Sequence, residues 1–158
     1  MIKLCVFDFD STIMDGETID ILAAANNASD EVASITKRSM NGELDFFESL
    51  TARVKFLKGM PLSKADEICK NLPIMPGASE LIDALKQNGI KVVVFSGGFH
   101  IATDKMQEKL KFDANFANIL HHKDGILTGE VGGEMMFGSS KGEMIDRLKG
   151  LLNLDKSE

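Results

Sequence analysis

The apolar run Leu4-Cys5-Val6-Phe7 gives way to polar residues at Asp8-Phe9-Asp10-Ser11-Thr12. A short continuous apolar run ending in polar residues reads as a buried parallel strand. From about Glu17 to Asn71 the pattern is helical, with breaks at Asn26-Asn27-Ala28-Ser29, Asn41-Gly42, Lys58-Gly59-Met60-Pro61 and Leu72-Pro73. Each break holds residues that favour caps or turns, so this stretch predicts three or four short helices. Pro76-Gly77 reopens a helix with Leu81, Ile82 and Leu85 on one face, and Gly89 ends it. Lys91-Val92-Val93-Val94-Phe95 is then a second buried strand.

A helix from about His100 to Leu110 turns Ile101, Met106 and Leu110 inward, and Ala114-Asn115-Phe116 is a short third strand. Asp124-Gly125 lies between two strand-like runs, 119–123 and 126–131, the signal of a hairpin whose turn needs positive φ. Ser140-Lys141-Gly142-Glu143 matches a capping box, and its helix points Met144, Ile145, Leu148, Leu151 and Leu152 inward. The order of elements predicts an α/β fold: a doubly wound parallel sheet with an inserted all-helical segment and a small β-hairpin.

The 158 residues, 44% of them hydrophobic, suffice for one good core. A net charge of -6 and a pI near 5.1, with no Trp or Tyr to stack on bases, argue against nucleic acid as a partner. The two cysteines, Cys5 and Cys69, lie too far apart for a disulfide framework or metal-ligand spacing and read as reduced thiols of a cytoplasmic protein. No apolar run fits a signal peptide or a membrane span, which predicts a soluble chain without membrane partners.

Candidate chemistry gathers at strand ends. Open α/β sheets bind ligands beyond the carboxyl ends of their strands, and residues two apart on an extended chain project to the same side. Asp8 and Asp10 could then meet one substrate and one cation together, as a nucleophile and an acid/base; a polar Asx turn closing the strand is the plainer alternative. Ser96-Gly97-Gly98 follows the second strand and precedes a helix, offering a hydroxyl and bare N–H groups to an anion. Neighbouring first and second strands would bring that segment beside Asp8 and Asp10.

Lys141 falls in a first helical turn, where the macrodipole disfavours a cation by up to about 1 kcal/mol. A phosphate between Ser96 and Lys141, opposite Asp8, would account for it, as would simple solvation. Arg53 shares a helical stripe with Phe46, Leu50 and Leu57 and has no acid three or four positions away, so it either meets an anion or snorkels to water. Glu17 is an acid near a helix N-terminus, and His100, His121 and His122 lack metal-ligand spacing.

The set resembles one family, the haloacid dehalogenase-like phosphatases. Asp8 to Thr12 matches its first motif, Ser96-Gly97-Gly98-Phe99 its second and Lys141 its third. Glu17-Thr18-Ile19-Asp20 and Phe116-Ala117-Asn118 extend the likeness along essentially the whole chain, toward the branch that hydrolyses phosphoserine in the last step of serine biosynthesis. The resemblance implies a core of residues 1–15 and 73–158, a helical cap of residues 16–72, and reaction through an aspartyl-phosphate. Asp8 would be the nucleophile and Asp10 the acid/base, with Mg²⁺ between the Asp8 side chain and the Asp10 carbonyl. Ser96, the Gly97 N–H and Lys141 would hold the phosphate, Glu17 the substrate ammonium and Arg53 its carboxylate, while Met40 and Phe46 screen the site.

The family's fourth motif, a Gly-Asp run beyond a further strand, has no match; Asp155 has neither the glycine nor the apolar run. This departure predicts a truncated sheet, weak Mg²⁺ binding, little turnover and self-association through an exposed first strand. Two other readings stay open. One is a non-catalytic phosphate- or phosphoserine-binding module, or a receiver-like phosphoacceptor, although the large insertion and Asp10 argue against a receiver. The other keeps the chemistry but acts on another small phosphorylated substrate.

Overall fold

A computed structural model describes residues 1–155. The chain opens with strand β1 (Leu4–Asp8), followed by helices α1 (Thr18–Ala25), α2 (Ser29–Met40) and α3 (Phe46–Val54), a 3₁₀ turn (Lys55–Leu57), and α4 (Leu62–Lys70). Then come α5 (Ala78–Gln87), β2 (Lys91–Phe99), α6 (His100–Leu110), β3 (Ala114–Lys123), β4 (Ile126–Gly133) and α7 (Ser140–Leu152). The strands form one sheet in the order β1-β2-β3-β4, parallel between β1, β2 and β3 and antiparallel between β3 and β4.

Successive side chains on a strand point to opposite faces, and β2 divides its valines accordingly. Val92 and Val94 join the larger core with Ile82 of α5 and Met106 of α6. Val93 and Phe95 face the other way, packing with Met144 and Leu148 of α7 and with Leu4 and Val6 of β1. Helices therefore cover both faces of the sheet, the doubly wound arrangement anticipated from the alternation of elements.

The helical insertion hangs from two chain segments that are bonded to each other. Asp15 donates its N–H to Pro73 O at 3.0 Å and Met75 donates to Ile13 O at 2.9 Å. Its breaks fall where turn-prone residues predicted them. α3 starts in a capping box that the sequence pattern did not reveal: Asp45 Oδ1 accepts the Glu48 N–H, and Glu48 Oε2 accepts the Asp45 N–H.

Several expectations require correction. β2 does not stop at Phe95 but runs on to Phe99, with its register against β3 shifting between these two residues. The third strand and the first hairpin arm are one continuous strand, β3, which pairs with β2 and then with β4. The hairpin turn is as expected, with φ of +51° at Asp124 and +76° at Gly125. The Ser140…Glu143 capping box does not form, because Ser140 Oγ instead accepts the Phe137 N–H and it is Ser139 Oγ that bonds Glu143. Leu81, Ile145, Leu151 and Leu152 are exposed, since α5 and α7 bury narrower stripes, led by Ile82 and by Met144 with Leu148.

Cys5 and Cys69 are both free thiols. Among the described residues no helix is long and apolar enough to cross a membrane.

Candidate active site

β1 ends at Asp8, which pairs in register with Phe95, so Ser96-Gly97-Gly98 begins beside it. Asp8 Oδ1 accepts the Phe9 N–H at 2.8 Å, and Oδ2 lies 2.6 Å from Lys141 Nζ. The lysine that sits against its own helix dipole thus has a carboxylate as partner. The chain then turns tightly, with the Ile13 and Met14 N–H groups on Phe9 O, and carries Asp10 to the wall of the same cavity.

Asp10 Oδ1 accepts two bonds from the first residue of α1, from the Thr18 N–H at 2.8 Å and the Thr18 hydroxyl at 2.5 Å. Its other oxygen faces Gly98, where an added methyl would come within 2.7 Å of Oδ2 and 3.1 Å of Ser96 Oγ. The glycine is what lets these polar groups converge. Burial pushes the Asp10 carboxyl up to about 6; the Thr18 bonds oppose the shift, and the charges of Glu17 and Asp8 add to it.

The insertion closes the cavity from above. A methyl on Gly97 would lie 2.6 Å from Phe46 Cζ, so the ring at the start of α3 rests directly on the glycine backbone. Arg53, about two turns further along the same helical stripe, is part-buried; desolvation lowers its pKa against the opposing fields of Asp20, Glu17 and Asp10. Its Nε donates to Ser49 O at 3.3 Å, and it makes no ion pair among the described residues. Glu17 Oε1 accepts the Ser11 hydroxyl at 2.8 Å.

A cavity of about 160 Å³ results, lined by the polar groups Asp8, Asp10, Glu17, Arg53 and Lys141, by Gly97 and Gly98, and by Ile19, Phe46, Leu50 and Phe99. Most of the residues picked from sequence are brought together. Ser96 is adjacent but fully buried behind the glycines, its Oγ accepting the Gly98 N–H at 2.9 Å. Met40 is not brought in: it ends α2, whose buried contact is Val32, and is 83% exposed. Sequence reasoning missed Thr18, Ile19 and Asn118 as parts of the site and its supports. For Thr18 and Asn118 the signal is only a polar residue where a helix-start or core position would tolerate an apolar one, and the apolar Ile19 carries none.

A carboxyl pair at the end of a parallel strand, one exposed to the cavity and one part-buried, with a lysine from a later helix and a glycine segment between them, defines a class of protein. The haloacid dehalogenase-like hydrolase model matches residues 2–158, and the chain belongs to that family. Its relatives are narrower in kind. It is 64% identical over 152 residues to a phosphoserine phosphatase of Wolinella succinogenes, covering 96% of this chain and 74% of that one. It is 58% identical over 158 residues to a phosphoserine phosphatase of Campylobacter jejuni subsp. doylei, covering 100% of this chain and 76% of the relative. Among solved structures, a phospho-aspartyl intermediate analogue of phosphoserine phosphatase superposes with a TM-score of 0.90 at 44% identity, covering 98% of this chain and 74% of that chain. A substrate-bound phosphoserine phosphatase complex does so with a TM-score of 0.91 at 42% identity, with the same shares covered.

Proposed function

We propose that this protein is a phosphomonoester hydrolase that cleaves O-phosphoserine through an aspartyl-phosphate on Asp8. The observation that carries the reading is the 2.6 Å pairing of Asp8 with Lys141 in a cavity that also holds Arg53 and Glu17. A lysine beside a carboxylate supplies charge for a phosphoryl group, and an arginine with a glutamate supplies the complement of an amino acid's carboxylate and ammonium. Relatives named for phosphoserine and for a phospho-aspartyl intermediate support the same chemistry.

In the first half-reaction an Asp8 oxygen bonds to phosphorus as the bond from phosphorus to the seryl oxygen breaks. Asp10, in its acid form, gives its proton to that oxygen, and serine leaves. In the second, water attacks the phosphorus of the acyl phosphate, Asp10 takes the water's proton, and Asp8 is freed as phosphate departs. A carboxyl pushed up to about 6 suits both duties near neutral pH. The Gly97 N–H and Lys141 hold the phosphoryl oxygens, Ser96 backs them from behind the glycines through its bond with the Gly98 N–H, Glu17 reads the ammonium, and Arg53 reads the carboxylate. Residues 16–72 serve as the cap, over a core of residues 1–15 and 73–158, and Phe46 shuts water out at Gly97.

The donor set suits Mg²⁺. The Asp8 carboxylate and the Asp10 carbonyl are hard oxygens, and Mg²⁺ commonly binds through one or two carboxylates while keeping several waters. Among the described residues no group of three or more His, Cys, Asp or Glu side chains is placed to hold a metal ion. When bound, the ion would screen the repulsion between phosphate and carboxylate. β1 is an edge of the described sheet, and we assign to it any self-association of the chain. The free thiols support a reducing, cytoplasmic setting.

The test is phosphate release from phosphoserine in the presence of Mg²⁺, with Asp8→Asn as the control. Release that depends on Asp8 supports the proposal; release that survives Asp8→Asn refutes the mechanism. Binding of phosphoserine with no release would identify a recognition module instead.

A further inference from the structure

Asn118 sits in β3 where the strand changes partners, opposite Phe99 of β2 on one side and Gly133 of β4 on the other. Its side chain is 0% exposed and serves only backbone groups. Nδ2 donates to Gly97 O at 3.1 Å and to Met135 O at 3.0 Å, while Oδ1 accepts the Met135 N–H at 2.9 Å. The strand end opposite is pressed onto this amide. A methyl on Gly133, at φ +142°, would lie 2.8 Å from Asn118 Cα and 2.9 Å from Oδ1.

The two segments gathered here come from different strands and reach the cavity separately. Gly97 is in β2 and lines the cavity beneath Phe46; Met135 lies in the segment that leaves β4 and leads into α7 with Lys141. Buried backbone groups need partners, and one amide meets all three needs at once. It can do so only while Gly97 and Met135 keep a fixed spacing, because hydrogen bonds weaken steeply away from about 3 Å.

We propose that Asn118 is a positioning residue that sets the separation of the Gly97 N–H from the Lys141 ammonium, and so the width of the phosphate cradle. The inference rests on the phosphatase reading of that cavity. Asn118 touches no substrate; it acts through the two segments it bonds.

The deciding experiment is a titration of the unaltered, ¹⁵N-labelled chain with inorganic phosphate in the presence of Mg²⁺, followed by NMR. The Gly97 amide, the Met135 amide and the Asn118 side-chain NH₂ pair should shift together with one apparent Kd. A Gly97 shift with Asn118 and Met135 unmoved overturns the positioning role while leaving the phosphate site standing. No shift anywhere overturns the phosphate reading, and the positioning role falls with it. Two variants add a second readout. Asn118→Asp keeps the acceptor but sets a carboxylate against two carbonyls, and Gly133→Ala displaces the amide while removing no polar group. Each should weaken phosphate binding by about tenfold. Parent-like affinity in a variant whose circular dichroism matches the parent overturns the proposal, and if neither variant folds the titration alone decides.

Discussion

Thr18 gives both its backbone N–H and its hydroxyl to one oxygen of Asp10, at 2.8 and 2.5 Å. The N-cap residue of α1, Glu17, makes no side-chain cap bond, so the carboxylate eight residues upstream satisfies the helix start instead. The acid/base of the proposed reaction and the first helix of the proposed cap are thereby one hydrogen-bonded unit. Fixing Oδ1 in this way leaves Oδ2, over Gly98, as the oxygen free to carry a proton toward substrate.

Thr18→Val should therefore lower kcat for phosphoserine by about tenfold, the loss of one hydrogen bond of about 1.4 kcal/mol that orients the reacting carboxyl. KM should change little, because Thr18 does not line the cavity. Thr18→Ser should restore most of the rate. Steady-state kinetics on the three proteins check the claim, and a serine variant as slow as the valine variant would remove the hydroxyl from the argument.

Asp10 also predicts a pH dependence of stability. Its carboxyl rises from 3.8 to about 6 on folding, chiefly through burial, so the folded state holds the proton more tightly than the unfolded one. The stabilisation this provides is complete below about 3.8 and is lost as pH rises through about 6. Asp10→Asn removes that titration. The stability of the variant relative to the parent should grow between pH 4 and pH 7.5 by up to about 3 kcal/mol. Urea unfolding of both proteins in EDTA measures it; a difference independent of pH would mean the carboxyl is not held up by burial.

Much of this arrangement is written locally in the chain, and some of it is not. The strand Leu4–Asp8 announces itself by its continuous apolar run, which packs on both faces although the strand is a half-buried edge rather than the buried strand expected, and the hairpin does so because Asp124-Gly125 can take the positive φ that its turn requires. Lys141 and Arg53 stood out as charges in positions that local physics disfavours, and the fold answers both by pointing them into one cavity. The extent of β3 was not legible, since its pairing changes partner midway and depends on β2 and β4 rather than on its own residues. Asn118 was invisible as a support for the same reason: its partners, Gly97 and Met135, are distant backbone atoms. Met40 read as a screen from resemblance alone, and nothing in the packing of α2 turns it toward the cavity.

In the proposed reaction, substrate choice rests on Arg53. A guanidinium drawn into a desolvated wall, with no ion pair of its own among the described residues, suits the carboxylate that the proposed substrate would bring. Arg53→Ala should raise KM for phosphoserine by roughly 10- to 100-fold, the worth of a charge-assisted bond of about 1.5–3 kcal/mol. For phosphoethanolamine, which keeps the phosphate and the ammonium but lacks the carboxylate, the change should be within about twofold. Equal losses on the two substrates would show that Arg53 serves the fold of the cap or the phosphate, not the carboxylate.

The proposed cap has its own aromatic contact with the core. Phe47 of α3 stacks on Phe137, in the segment before Lys141, with ring centroids 5.4 Å apart and planes 14° from parallel. Its neighbour Phe46 meanwhile rests on Gly97, so two consecutive residues of one cap helix touch the two core segments that Asn118 ties together. A stacked pair is worth about 0.5–1.5 kcal/mol beyond the area it buries. A double-mutant cycle of Phe47→Ala and Phe137→Ala, read by urea unfolding, should return a coupling energy in that range of about 0.5–1.5 kcal/mol. Hydrogen exchange locates the effect: either single substitution should speed exchange in residues 46–54 and in residues 134–142 alike, because each ring holds the other's segment. Exchange that rises only in the substituted segment, with additive energies, would mean that the rings share a surface without holding the cap shut.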